Sequence, residues 1–254
     1  MELALFNLGL ALLSRTHCSD CQCTDSDSSK REKPGDEARR IFSLLIDQPI
    51  FDNDILTEDS GRPYFPDKDM DFNISHSSDM VAVSLVSGKD LKTGCDIQFV
   101  NKPMASNKAR LEKIAMQFFS ADEVEYIFSK DAGCEVAGNT RFFQIWALKE
   151  CFIKLRGLSV FDMVSIPSFI RNDICNDGSF SFNFAFEQTG ELPLQFYLYE
   201  IGSPGNQYIL ALAIEGEPKP QASIQWFSES VFPISSIVEI KAAQSPMETV
   251  NPKT

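Results

Sequence analysis

Basic residues are scarce in this chain. Lys and Arg total 23 against 36 Asp and Glu, a formal net charge of −13 over 254 residues. No face can then be broadly basic, which argues against a general binder of nucleic acid or of an anionic membrane surface, although a local basic pocket is still possible. Long hydrophobic runs are also lacking. No stretch approaches the roughly 20 apolar residues of a membrane span. The apolar run from Leu3 to Leu13 is preceded only by Glu2; it has no basic flank and no small-residue cleavage site, so it predicts a buried first strand rather than a leader. The seven cysteines are an odd number, and Cys95, Cys134, Cys151 and Cys175 stand singly among apolar or loop residues. That spacing gives no disulfide framework and predicts reduced thiols in a cytoplasmic protein.

What is present is apolar and aromatic. Hydrophobic residues make up 43% of the chain and phenylalanine alone occurs 21 times, enough for a phenylalanine-rich core in one large domain or two small ones. Residues 14–35 form a polar, Ser/Asp-rich loop closed by Pro34-Gly35, and Asp36 is placed to cap a helix through Arg39, Arg40 and Ile41-Phe42. Gly61-Arg62-Pro63-Tyr64 is turn chemistry, and Phe72 to Ser77 reads as a short strand breaking into a loop. The continuous apolar run Met80 to Val86 predicts a fully buried strand. Lys92 to Phe99 predicts another, with Cys95, Ile97 and Phe99 on one face and Asp96 and Gln98 on the other.

Helices are expected over residues 106–118, from Ser120 through Phe128 with Glu123 completing a capping box, and from about Phe142 to Arg156. A glycine-bearing loop over 131–139 precedes the last of these and Gly157 stops it. Strands are expected at Ser165–Ile170, Phe180–Phe186, Leu194–Glu200 and Tyr208–Ile214. The run Tyr208 to Ile214 echoes Met80 to Val86, which hints at two similar α+β halves meeting near residue 102. The segment from 216 carries Pro218, Pro220, Trp226 and Phe227 and reads as an extended arm or a partly disordered tail.

On the helix expected from Phe142, Trp146, Glu150 and Lys154 recur every fourth residue along one stripe, with Lys149 about 100° around. Two meanings stay open. Glu150 and Lys154 are either a solvated salt bridge or part of a cleft lining. The apolar Ile145, Leu148, Cys151, Phe152, Ile153 and Leu155 surround them, and a helix apolar on nearly every side is largely buried, which favours the cleft. One carboxylate from a strand (Asp96) and one from a helix (Glu150), with lysines beside them, suit Mg²⁺ on a phosphate-bearing substrate.

Four motifs occur in order: Phe72-Asn-Ile-Ser75-His76-Ser, Gly94-Cys-Asp96-Ile, Phe118-Phe-Ser-Ala-Asp-Glu123, and Trp146-Ala-Leu-Lys149-Glu150 with Lys154. Together they resemble the 4′-phosphopantetheinyl transferases of the Sfp type, over about residues 30 to 215. Gly61-Arg62-Pro63 is similar to that family's Gly-Lys-Pro turn. The resemblance implies an α+β fold, a pseudo-dimer of two similar halves with the active site between them. The halves would be 1–102, carrying the basic coenzyme-binding residues, the histidine motif and Asp96, and 103–215, carrying Glu150 and Lys154; residues 216–254 would be a C-terminal extension. It also implies transfer of 4′-phosphopantetheine from coenzyme A to a serine of an apo acyl or peptidyl carrier protein, with release of 3′,5′-ADP. Such carriers serve fatty-acid, polyketide or peptide synthesis, and enzymes of this type are monomers.

The resemblance assigns the residues as follows. Asp96 and Glu150 would bind Mg²⁺; the family often has Glu where this chain has Gln98, so Gln98 would stand in the metal's coordination shell or just beyond it. Glu150, directly or through water, would accept the serine proton, and Lys154 would neutralise the leaving 3′,5′-ADP. His76 would donate to the pyrophosphate, with a structural turn histidine as the alternative, and Ser75 could touch phosphate through its hydroxyl or backbone. Lys149 and Pro63 complete the coenzyme-binding set, with Arg62, Arg40, Lys30 and Lys33 toward the 3′-phosphate and adenine; Arg39 and Arg40 could equally form a solvated helix face. Phe118 and Phe119, with the start of the following helix, are either core or a local patch for the carrier. His17, Cys18, Cys21 and Cys23 offer four candidate zinc ligands within seven residues, without a distant pair to close a domain, and an ordinary thiol-containing loop is the alternative. A non-catalytic carrier or coenzyme A-binding module is the competing function, with Gln98 pointing toward it.

Overall fold

The computed structural model describes residues 8–14, 39, 42–43, 46, 49–66, 68–78, 80–100, 104–128, 135–166, 168–174, 180–184, 193–203, 206–216, 222–226 and 234–240. The fold is mixed α/β and is organised by two four-stranded sheets. In the first, β5 (Met80–Ser87) lies between β4 (Met70–Ser77) and β1 (Leu8–Ser14), and β11 (Ala222–Trp226) adds parallel to β1. In the second, β10 (Asn206–Glu215) lies between β6 (Lys92–Val100) and β9 (Leu194–Ser203), and β12 (Ile234–Ile240) closes the far edge antiparallel to β9. The two apolar runs, Met80 to Val86 and Tyr208 to Ile214, are thus both interior strands, where burial on both faces calls for unbroken apolar sequence.

Alternation distributes these strands over three cores. Met80, Ala82 and Val86 meet Cys95, Ile97, Leu210, Leu212 and Ile214 between the sheets. Val81, Val83 and Leu85 point the other way, onto Phe72, Phe65 and Phe42. There the Phe42 and Phe72 rings meet edge to face with centroids 4.5 Å apart, a geometry that adds about 1 kcal/mol to the burial of each ring. The opposite face of β10, Ile209, Ala211 and Ala213, is covered by helices. These are α1 (Met104–Phe118), α2 (Ala121–Phe128) and the 22-residue α3 (Glu135–Arg156).

The facing edges of the two sheets, β4 and β6, are joined by side chains. Asp71 Oδ2 accepts from Thr93 N, Asn73 Oδ1 from Cys95 N, Ser75 Oγ from Ile97 N and Ser77 Oγ from Phe99 N, at 2.8–3.2 Å and a constant offset of 22 residues. Every second residue of β4 is therefore polar because it completes the hydrogen bonding of a neighbouring strand's buried amides.

Two sequence expectations change. α3 begins at Glu135, so residues 135–139 are helical, and Gly138 lies buried inside the helix despite its helix-weakening tendency. The strand expected at 165–170 begins only at Phe169: Ser165 ends a 3₁₀ helix, Val160–Ser165, opened by a capping box between Ser159 and Asp162, and β7 runs from Phe169 to Ile174 and pairs with β8 (Phe180–Phe184). Of the segment after 216, residues 222–226 and 234–240 pack as extended edge strands, β11 and β12, in line with the extended-arm reading. The boundary expected at 102 follows β6, which pairs with β10. The stop of α3 is as expected: Gly157 takes φ +63°, Leu158 N reaches Ile153 O at 3.0 Å, and Gly157 N reaches Lys154 O at 3.4 Å, a Schellman termination.

Candidate active site

The site starts from a close approach between strand and helix. Gly94 of β6 lies directly under α3: a Cβ there would overlap the Cys151 carbonyl oxygen and stand 2.7 Å from Leu155 N. The paired strand keeps the same clearance, with Ala213 opposite Gly94 and Ala211 opposite Asp96. With helix backbone on strand backbone, Asp96, two residues on and on the same face, comes within reach of the α3 side chains. Lys154 Nζ stands 2.6 Å from Asp96 Oδ1. Glu150 is one turn earlier on α3, near enough for Asp96 and Lys154 both to act on its charge.

Two further side chains close on Asp96. Ser75 Oγ lies 2.9 Å from Asp96 Oδ1 and 2.9 Å from Lys154 Nζ, and it accepts Ile97 N at 3.1 Å. Gln98 Nε2 donates to Asp96 Oδ2 at 2.7 Å. Asp96 is only 3% exposed, and these charge-assisted bonds are what make a buried carboxylate tolerable there.

Glu150 is in a different position. It is half-buried, and among the described residues no hydrogen bond holds it. Burial raises its pKa, the Asp96 carboxylate raises it further, and Lys154 partly offsets both. Burial is the strongest single influence on Lys154 and alone would lower it; the Asp96 charge and hydrogen bond, with Cys95 and Glu150, together outweigh it, so its ammonium is held more firmly than in an ordinary lysine. Burial likewise raises the Cys95 and Cys151 thiols beside the cluster, which keeps them protonated and inert.

Among the described residues no group of three or more His, Cys, Asp and Glu side chains is gathered as a self-sufficient metal cage. Mg²⁺ does not need one, since it commonly takes one or two carboxylates and completes its shell with water and substrate phosphates. Asp96 and Glu150 are hard oxygen donors whose mutual repulsion is already visible in the raised Glu150, and a cation between them would relieve it. The donor set fits that ion.

Two members of the expected site are placed elsewhere. Lys149, 1% exposed, points away from the cluster and pairs with Glu123 at 3.1 Å, with Ile166 O at 3.5 Å. Glu123 in turn accepts from Ser120 N in the expected capping box and from Phe169 N at 2.7 Å. Lys149 therefore fastens α2 and the start of β7 to α3, and its charge is paired inside the protein. Arg62 is likewise consumed: it pairs with Asp71, and its guanidinium donates to Lys154 O at 3.1 Å and Thr93 O at 3.2 Å. It ties the turn between β2 (Leu56–Thr57) and β3 (Pro63–Tyr64) to β4, β6 and the end of α3. The offset of 100° on the helix and the alternating Asp71 signal foreshadowed neither partner, because each comes from a distant element.

Pro63 is half-buried in β3, beside Gly61 in its left-handed turn at φ +86°. His76 is exposed at the end of β4, on the opposite side of the strand from Ser75. Trp146 stacks on Phe142 at 6.0 Å and meets Phe118 and Phe119 at 6.3 and 6.2 Å. All three are partly buried and pack against the helical core. Lys30, Lys33, Arg40 and the His17–Cys23 group lie outside the described residues.

Residues 92–213, the stretch that holds Gly94, Asp96, Glu123, Glu150 and Lys154, match the 4′-phosphopantetheinyl transferase superfamily. A Haemophilus influenzae protein provisionally named a 4′-phosphopantetheinyl transferase is 33% identical over 174 residues, 62% of this chain and 66% of that protein. The 4′-phosphopantetheinyl transferase psf-1 of Bacillus pumilus is 35% identical over 121 residues, covering 47% and 45% of the two chains. The 4′-phosphopantetheinyl transferase Sfp of Bacillus subtilis is 34% identical over 120 residues, covering 47% and 48%. The alignments thus span from about half to just under two thirds of these relatives. On this match and on the motifs that carry it, the stretch 92–213 belongs to the 4′-phosphopantetheinyl transferase superfamily.

Proposed function

We propose that this chain transfers 4′-phosphopantetheine from coenzyme A to a serine of an apo acyl or peptidyl carrier protein, acts as a monomer, and releases 3′,5′-ADP. One observation carries the reading: Asp96 from β6 and Glu150 and Lys154 from α3 converge, with Lys154 Nζ 2.6 Å from Asp96. The serine oxygen attacks the phosphorus that bears the pantetheine arm. The bond from that phosphorus to the oxygen bridging it to the adenosine-side phosphate breaks, and 3′,5′-ADP leaves with the electron pair. Glu150 takes the serine proton, directly or through water. Lys154 holds its positive charge firmly beside the leaving phosphate. Asp96 and Glu150 would hold Mg²⁺, which when bound offsets the charge of the diphosphate.

His76, exposed at the end of β4, is proposed to donate to the diphosphate, and Lys30, Lys33 and Arg40 to meet the 3′-phosphate. Ser75 is proposed to orient Asp96 and Lys154 rather than to bind phosphate itself. Gln98, bonded to Asp96, is proposed to sit just beyond the metal's shell. We read the two sheets, each built on an interior apolar strand, as the two related halves of the fold with the site between them; the convergence of β6 and α3 with Ser75 of β4 supports that reading. The test is chromatographic detection of 3′,5′-ADP from coenzyme A with and without an apo carrier. Release that depends on the carrier supports the transferase. Coenzyme A bound but never consumed would favour a non-catalytic module.

A further inference from the structure

Every donor gathered on Asp96 presents positive charge or a polar hydrogen. Oδ1 takes the Lys154 ammonium at 2.6 Å and the Ser75 hydroxyl at 2.9 Å, and Oδ2 takes the Gln98 amide at 2.7 Å. A carboxylate offers about four lone-pair directions, so this one is nearly filled by protein. A divalent cation on the same oxygen would sit against the ammonium and be repelled by it. Lys154 can move: its side chain is 27% exposed where that of Asp96 is 4%, and four rotatable bonds carry its head group. Its ammonium has three N–H groups, and the described bonds to Asp96 and Ser75 use two.

We propose, resting on the metal and substrate reading above, that Lys154 is the resident counter-ion of the Asp96–Glu150 pair and competes with the divalent cation for it. The cation gains the carboxylates as the diphosphate of the incoming substrate draws Lys154 off Asp96. Metal and diphosphate binding are then mutually reinforcing, and the free protein holds metal weakly. Gln98 belongs to the same device, because its amide closes Oδ2 where a carboxylate would have invited the cation.

Mn²⁺ titration of the free protein, followed by electron paramagnetic resonance of unbound Mn²⁺, tests this without any turnover. Lys154→Met is expected to bind Mn²⁺ at least ~10-fold more tightly than the wild type, by removal of a unit charge from the binding oxygen. Coenzyme A, corrected for its own chelation, is expected to tighten Mn²⁺ binding to the wild type by ~10-fold or more and to Lys154→Met by much less. Circular dichroism establishes that the variant is folded; Lys154→Gln, which keeps a donor and drops the charge, carries the same expectation should Lys154→Met not fold. Equal or weaker Mn²⁺ binding by a folded, uncharged variant overturns the counter-ion role while leaving the metal site standing. Absence of Mn²⁺ binding in wild type and variants, with and without coenzyme A, overturns the metal reading and the inference with it.

Discussion

Lys154 meets Asp96 across a strand–helix contact with 2.6 Å between Nζ and Oδ1, and Gly94 is what brings the two elements together. Substitution Gly94→Ala should force α3 off β6, because the clash is with the helix backbone and no flexible side chain can yield. The expected cost is ~3 kcal/mol or more of stability from overpacking. A shift of about 1 Å at the cluster should also lower the transfer rate by roughly 100-fold in whatever protein remains folded. Denaturant unfolding and single-turnover transfer measure the two effects separately.

Glu150→Gln should lower transfer by about 10²- to 10⁴-fold through loss of the proton acceptor without loss of stability. The sign follows from its raised pKa. The folded protein binds the Glu150 proton more readily than the unfolded chain, so ionised Glu150 costs stability as pH rises from the ordinary carboxylate value through the raised one. The variant's melting temperature should equal or exceed the wild type's at neutral pH, and the difference should shrink as pH falls.

Lys149→Met should act on stability and not on coenzyme recognition. The Lys149–Glu123 pair is fully buried, and removing one partner of such a pair typically costs ~3–5 kcal/mol. The lower end is expected, because Glu123 keeps the Ser120 and Phe169 amides. Calorimetry gives the cost; KM for coenzyme A should stay within about two-fold of wild type, as for any residue outside the binding contacts.

Arg62→Met should behave the same way. Its guanidinium bonds to Asp71, Lys154 O and Thr93 O are buried and structural, so a loss of ~3 kcal/mol is expected with KM for coenzyme A little changed. A KM increase with unchanged stability would restore Arg62 to the coenzyme site.

The sequence disclosed the parts of the site that depend on local periodicity. Alternation in β6 put Asp96 and Gln98 opposite Cys95 and Ile97, and helical spacing put Lys154 one turn from Glu150, because each rule acts within a single element. The Ser120–Glu123 capping box was legible for the same reason. The protein partners of Lys149 and Arg62 were not foreseen, because a basic residue in a phosphate-binding motif looks alike whether its partner is substrate or a carboxylate from another element. Glu123, 26 residues before Lys149 in the chain, and Asp71, across a turn and β3 from Arg62, become partners only through packing. A signal for the β4–β6 junction was present in the polar residues Asp71, Asn73, Ser75 and Ser77 at every second position, though not the identity of the strand they serve. The early start of α3 was hidden by Gly138 and its weak helix preference.

Intact mass spectrometry of an apo carrier protein incubated with coenzyme A, Mg²⁺ and this protein tests the central claim most directly, with Glu150→Gln and a chelator-treated sample alongside. The account predicts a gain of one phosphopantetheine on the carrier with wild type, and its loss both in the variant and under chelation. An equal gain with Glu150→Gln would contradict the role given to the Asp96–Glu150–Lys154 cluster, and no gain on any of several unrelated carriers, despite coenzyme A binding, would contradict the transferase itself.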